Sequence, residues 1–284
     1  MKLNNYNLQH LIINQRTIII FKALLLSTLL LCTLPALADF AKGWDAYQNK
    51  DYATAFKELK PLAEQGFAPA QYHLGRMYEN GYGVTKDYQT AIEYFTQAVE
   101  QGDVLAQTHL GSMYENGYGV TKDLKTAIQY YTLAAEQGYV DAQTILGKIY
   151  EYGEGVTQNY KTAIHYYTLA ADQGFALAQY NLGRMYEYGD GVTQDFKSAI
   201  QYYSLAADQG YAYGQYRLGR MYEYGKGVVQ DFTRAHMWFN IAASQGIEYG
   251  KKNRDKAAKL MTISQIAEAQ TLARECLAKD YKGC

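Results

Sequence analysis

Set in rows of 36 residues, the chain aligns Gly75, Gly111, Gly147, Gly183 and Gly219 without an insertion or deletion. The same offset relates Gly66, Gly102, Gly138, Gly174, Gly210 and Gly246, and the loop pairs from Gly81/Gly83 to Gly225/Gly227. A strict period of this length marks a repeat array, in which each unit buries its apolar face only against its neighbours. Five full units follow: 67–102, 103–138, 139–174, 175–210 and 211–246. The 30 Tyr and 25 Gly among 284 residues, against 3 Pro and 2 Trp, are the compositional trace of that copying.

Within a unit the apolar spacing predicts two helices. Ala70, Leu74, Gly75 and Tyr78 form the stripe of a first helix that ends near Asn80, before Gly81. Asp87 is placed to cap a second, whose Tyr88, Ala91, Ile92, Phe95, Ala98 and Val99 share a face and which Gly102 stops. Glycine inside a helix costs about 1 kcal/mol against alanine, so its recurrence at Gly75 predicts a partner helix too close for a Cβ. Gly81 and Gly83 bracket a loop expected to need positive φ. Stacked hairpins of this kind predict an all-α fold, an α/α solenoid with a right-handed superhelical curve. Its ends need covers. Residues 39–66 read as an N-terminal half-repeat with a helix over Phe40–Asn49, and 247–284, which lose the glycine pattern, as a polar C-terminal cap with a helix over Ile263–Leu277.

Residues 1–38 have the three parts of a secretory signal: a basic leader ending at Lys22, an apolar run from Ala23 to Leu34, and Ala36-Leu37-Ala38. The run is shorter than the roughly 20 residues that span a bilayer, so cleavage before Asp39 and an exported, periplasmic protein are expected, with secretion beyond the envelope also open. Of the 27 basic residues three lie in this leader, which leaves 24 against 28 acidic ones. Nucleic acid is thereby excluded as a main ligand, since phosphate binding needs a basic surface. Cleavage also leaves two cysteines, Cys276 and Cys284, expected to pair as a structural disulfide in an oxidising compartment.

The motif A-Q-Y-x-L-G-x-M-Y-E-x-G-x-G-V-x-x-D-x-x-x-A-I-x-Y-Y-x-L-A-A-x-Q-G, read from Ala178 to Gly210 and with minor changes from Ala70 to Gly102, resembles the Sel-1-like repeat, a relative of the tetratricopeptide repeat with a longer hairpin loop. The resemblance implies protein interaction without naming a partner. A cysteine-rich branch of that family is associated with penicillin binding and slow β-lactam hydrolysis. That branch staples each hairpin with its own cysteine pair, and here no cysteine stands between Cys32 and Cys276.

A binding face should show as columns that vary while packing columns stay fixed. One column reads His73, His109, Ile145, Asn181 and Arg217; the next Arg76, Ser112, Lys148, Arg184 and Arg220; a third Asn80, Asn116, Tyr152, Tyr188 and Tyr224. Offsets of three and seven put them on one face of the first helix. In solenoids of the family resembled, first helices line the concave side, which would make this face a groove. Lys148, Tyr152, Arg184, Tyr188, Arg217, Arg220 and Tyr224 are its candidate contacts, suited to an acidic protein segment or peptide. The alternative is that the i,i+3 pairs Arg76–Glu79, Arg184–Glu187 and Arg220–Glu223 are solvated helix decoration. Tyrosines such as Tyr130, Tyr131, Tyr166 and Tyr167 read as core, with hydroxyls reaching the edge.

The G-x-G loops lack a following G-K-[ST] and a preceding strand, and read as turns. His73 and His109 stand one repeat apart with no completing ligand set, and no nucleophile–base constellation can be assembled. The sequence therefore points to a non-catalytic scaffold with no cofactor or metal, with cell-wall attachment as the second binding hypothesis.

Overall fold

The computed structural model describes residues 37–284. The expected leader lies outside them, except for Leu37 and Ala38, which are helical. Among the described residues the fold is all helix, and no helix is long and apolar enough to cross a membrane. A first helix, α1, occupies 37–48. It is followed by α2 (Tyr52–Glu64) and hairpins α3/α4 (Ala68–Asn80, Tyr88–Val99), α5/α6 (Val104–Asn116, Leu124–Glu136), α7/α8 (Val140–Tyr152, Tyr160–Asp172), α9/α10 (Ala176–Tyr188, Phe196–Ala207) and α11/α12 (Ala212–Tyr224, Phe232–Ser244). Helices α13 (Glu248–Ala258) and α14 (Ile263–Ala278) complete the chain. The residues form two compact units: 37–110 with Gly117–Thr121, and Gly111–Asn116 with Lys122–Cys284.

In the first unit Ala55, Leu59, Leu62, Ala70, Leu74 and Met77 form a core on which Phe40, Tyr47, Phe56 and Phe67 pack. The hairpin has the expected punctuation. Asp87 accepts backbone N–H groups of Gln89 and Thr90 at the start of α4, and Gly81 ends α3 at φ 73°. A Cβ on Gly75 would lie 2.6 Å from the Phe95 ring, so the close approach is to an aromatic side chain of the partner helix.

The second unit repeats this pattern. Hairpins α7/α8, α9/α10 and α11/α12 each pack within themselves and on the next. Glycines 111, 147, 183 and 219 receive the rings of Tyr131, Tyr167, Tyr203 and Phe239. A glutamine column also joins neighbours: Gln143 Nε2 donates to Ala135 O at the end of α6 (3.1 Å), while Gln143 Oε1 accepts from Gln173 beyond α8 (2.9 Å). Gln179/Gln209 and Gln215/Gln245 repeat it, as Gln71/Gln101 do in the first unit. The motif contains these glutamines, but sequence reasoning gave them no role.

The C-terminal cover has one helix more than the periodicity indicated. Helix α13 has the composition of a solvated helix, and α14 opens with a Thr262/Gln265 capping box. Both pack on α12. Cys276, buried in α14, is disulfide-bonded to Cys284 eight residues on. The closed loop holds Tyr281 against the core of the last repeats, where a Cβ on Gly210 would come within 3.0 Å of its ring.

Two outcomes test this packing. Gly183→Ala would gain about 1 kcal/mol from helix propensity alone. With the buried Tyr203 ring 2.6 Å from the added methyl, it should instead lose about 1–3 kcal/mol in urea denaturation, and a stabilised protein would show that the contact is slack. Thiol labelling of denatured protein lacking residues 1–38 should find free sulfhydryls only after reduction, and reduction should lower stability by about 2–3 kcal/mol for so short a loop. Two labelled cysteines before reduction would remove the staple.

Candidate partner-binding face

The three variable columns lie on first helices as expected, but most of their charge is engaged within the molecule. The partner is a glutamate column whose members Glu79, Glu187 and Glu223 enter the sequence reading only as its solvated-pair alternative. Glu151, Glu187 and Glu223 are only 3–6% exposed. Burying a carboxylate is costly unless it is paired and hydrogen-bonded; Glu151 and Glu187 are supplied with hydrogen-bond partners from two directions, while Glu223 has only the looser ion pairs with Arg220 (3.5 Å) and Lys256 (3.8 Å). Tyr167 OH donates to Glu151 Oε2 (2.7 Å) and Tyr203 OH to Glu187 Oε2 (2.7 Å); Tyr131 OH does the same to Glu115 (2.6 Å). The hydroxyl of Tyr167 therefore ends on a buried carboxylate and not at the solvent edge, a correction to the sequence reading, while that of Tyr131 ends on the partly exposed Glu115. Burial and then the neighbouring carboxylate raise the pKa of Tyr167 and Tyr203, which fixes both as donors.

The second direction is the following repeat. Arg184 Nη2 donates to Glu151 Oε1 at 2.8 Å and its Nη1 to Tyr152 OH at 3.4 Å. Arg217 Nη1 donates to Tyr188 OH at 2.7 Å and reaches Glu187 at 3.4 Å, its guanidinium 5.6 Å above the Tyr188 ring. Burial opposes the charge on Arg184, but the Glu151 carboxylate together with the Tyr152 hydroxyl outweighs it and raises the pKa. Arg76–Glu79 (3.4 Å) and Arg220–Glu223 (3.5 Å) do pair at i,i+3, but not as solvated decoration, since both glutamate side chains are largely shielded from solvent. Arg184 does not pair with Glu187; it reaches back 33 residues to Glu151.

The structure thus unites three candidate pairs: Arg184 with Tyr152, Arg217 with Tyr188, and Arg220 with Tyr224, whose ring lies 4.9 Å below the guanidinium. Tyr152, Tyr188 and Tyr224 are half-exposed. Lys148 is exposed and joins none of these pairs. In the first unit the same columns are absorbed into packing. His73 is enclosed by Phe40, Trp44, Tyr47 and Tyr72, and burial with the nearby Arg76 charge pushes its pKa down to about 4. His109 Nδ1 lies 3.4 Å from Glu79. No group of three or more His, Cys, Asp or Glu able to hold a metal occurs among the described residues.

The columns end at a cleft of ≈ 430 Å³ lined by Tyr180, Tyr213, Tyr216, Arg217, Arg220, Tyr249, Lys252 and Asn253. Tyr216 OH accepts from Arg220 Nη1 (3.2 Å) and Asn253 Nδ2 (3.3 Å), joining α11 to α13 across its floor. Tyr213 and Tyr249 stand 51% and 68% exposed at its rim, and Lys252 makes no ion pair among the described residues. Sequence reasoning found Arg217 and Arg220 but missed Tyr249 and Lys252. Those two lie on α13, outside the period that gave the columns.

A charge reversal at Arg184 is therefore not a neutral surface change. Arg184→Glu sets a second carboxylate against buried Glu151 and should cost about 3 kcal/mol. An unchanged urea midpoint would deny the pair a structural role.

The Sel1 repeat family model matches residues 68–103, 104–139, 140–175, 176–211 and 212–247, each one residue later than the boundaries drawn from the glycines. The solved structure of a Sel1 repeat protein from Oxalobacter formigenes is 33% identical, with a TM-score of 0.71 over 75% of this chain and 88% of its own. A protective antigen of uropathogenic Escherichia coli with an SLR fold is 30% identical, with a TM-score of 0.54 over 87% of this chain and 62% of its own. An immunity protein of Pseudomonas aeruginosa shares the fold alone, at 21% identity and a TM-score of 0.50 over 73% of this chain and 82% of its own. No curated protein matches. Sel1 repeat proteins are generally non-catalytic and bind protein partners. With five repeats matched over more than half its length, the chain belongs to the Sel1 repeat family.

Proposed function

We propose that this protein is a non-catalytic, exported interaction scaffold that holds an acidic protein segment in the cleft between α11 and α13. The observation that carries the reading is the lining of that cleft: tyrosines from three helices around Arg217, Arg220 and Lys252. Aromatic and arginine side chains are the residues that anchor interfaces, because they bury large areas and keep a directional polar group. Arg217 and Arg220 are held in place by Tyr188, Tyr216 and the buried glutamates, so little side-chain entropy remains to be lost on binding. Lys252 adds charge not committed to another group. A carboxylate of a partner finds cations there, and its flanking apolar groups find tyrosine rings. Upstream the face offers less, since Arg184 is committed to Glu151. Export rests on the leader of residues 1–38 and places the partner in the cell envelope or beyond it.

The test is a crosslinking pull-down from envelope extract with the wild type and with Tyr249→Ala/Lys252→Glu. Both side chains are exposed and outside the glutamate network, so the variant should keep its stability within about 0.5 kcal/mol. A protein captured by the wild type and lost with the variant supports the cleft, and the same protein captured equally by both removes it.

A further inference from the structure

A second concavity, of ≈ 530 Å³, lies between α12, α13 and α14, beyond the matched repeats on its α13 and α14 sides. Its base departs from the repeat pattern. Ile92, Ile128, Ile164 and Ile200 occupy one column of the second helices, and the last copy is His236. Upstream, that isoleucine is packing: a Cβ on Gly191 would lie 3.3 Å from Ile164 Cδ1. At α12 no further hairpin loop follows. His236 is 3% exposed, and its Nδ1 is buried without a hydrogen-bond partner. A buried polar nitrogen left unpaired costs on the order of 1–3 kcal/mol, a cost the column's isoleucine would avoid.

The rest of the wall consists largely of donors. Arg254 gives Nε and Nη2 to Asp255 Oδ1 (2.9 and 2.7 Å) and Nη1 to Asn240 Oδ1 (3.1 Å). The one carboxylate of the wall thus pairs with the Arg254 guanidinium through Oδ1, and the Asn240 amide keeps its N–H groups. Arg274 donates to Thr271 Oγ1 (2.9 Å) and pairs with no carboxylate among the described residues. Gln270 adds a second amide. An unneutralised guanidinium, two amides and a ring nitrogen around one cavity call for an acceptor with negative charge.

We infer that this cavity is a binding site for a small oxyanion, a carboxylate or phosphate group, held by Arg274 with Asn240, Gln270 and His236. Burial and the nearby Arg254 charge, against Asp255, lower the pKa of His236, so the ring is not a second cation at neutral pH. The site is separate from the tyrosine cleft, whose lining it does not share.

The test is calorimetric titration of the purified protein with sodium phosphate and, separately, sodium glutamate, repeated on His236→Ile and Arg274→Gln. His236→Ile restores the residue that the other four repeats carry, and Arg274 is exposed, so Arg274→Gln leaves the core unchanged. Saturable binding of one probe, weakened about tenfold or more by Arg274→Gln, as expected for a charge-assisted bond, and likewise by His236→Ile, is the expected result. Phosphate alone identifies a phosphate-bearing ligand, glutamate alone a carboxylate. Overturning results are no saturable binding of either probe by the wild type, or equal binding by Arg274→Gln.

Discussion

The buried glutamates near the ends of α7 and α9, Glu151 and Glu187, are the constraint around which the central hairpins are organised. A carboxylate there is tolerable only because its charge is met twice, and the two partners come from different places in the chain. At Glu151 and Glu187 the phenol follows 16 residues later, on the second helix of the same hairpin, and the guanidinium 33 or 30 residues later, on the next. One side chain therefore fixes both the closure of its own hairpin and the seat of its neighbour. The tyrosine whose hydroxyl reaches the glutamate is also the ring that lies on the helix glycine. Glycine, tyrosine, glutamate and arginine thus form one dependent set. Where phenylalanine replaces tyrosine, at Phe95 and Phe239, the glutamates 79 and 223 are met by arginine with His109 or Lys256 instead.

Much of the fold was legible in the sequence because its determinants are local. The period, the Asp87 cap, the glycine stops and the Cys276/Cys284 pair each follow from residues close together in the chain. The glutamate links were not legible, for a physical reason. Arg184 stands three residues before Glu187, the spacing of an ordinary helix pair, and only the offset between stacked hairpins sends it to Glu151 instead. That offset is a property of tertiary packing and leaves no mark in one unit. The faint signal was the recurrence of glutamate in all five copies, on a helix whose other surface positions vary. Helix α13 was missed for the complementary reason: eleven residues with few apolar positions give no stripe to read.

The candidate site was half legible by the same logic. Column variation located Arg217 and Arg220 because they belong to the period, while Tyr249 and Lys252 lie past its end. Both concavities of the second unit draw on α13, which begins at Glu248, immediately after the last matched repeat ends at residue 247. The repeats supply a rigid, internally neutralised frame, and the distinctive chemistry gathers where the copying stops.

The reciprocal links of the glutamate column also bear on how such a chain changes length over generations. Glu151 and Glu187 each find a phenol within their own copy and a guanidinium in the copy that follows, with no spacer residues between the copies. Duplicating the whole unit 175–210, which carries Arg184 and Tyr203, would leave Glu151 and Glu187 each with a phenol from its own copy and a guanidinium from the next. Slippage by any other number of residues would strand one of them, so the array is built to grow and shrink only in whole turns of its own pattern.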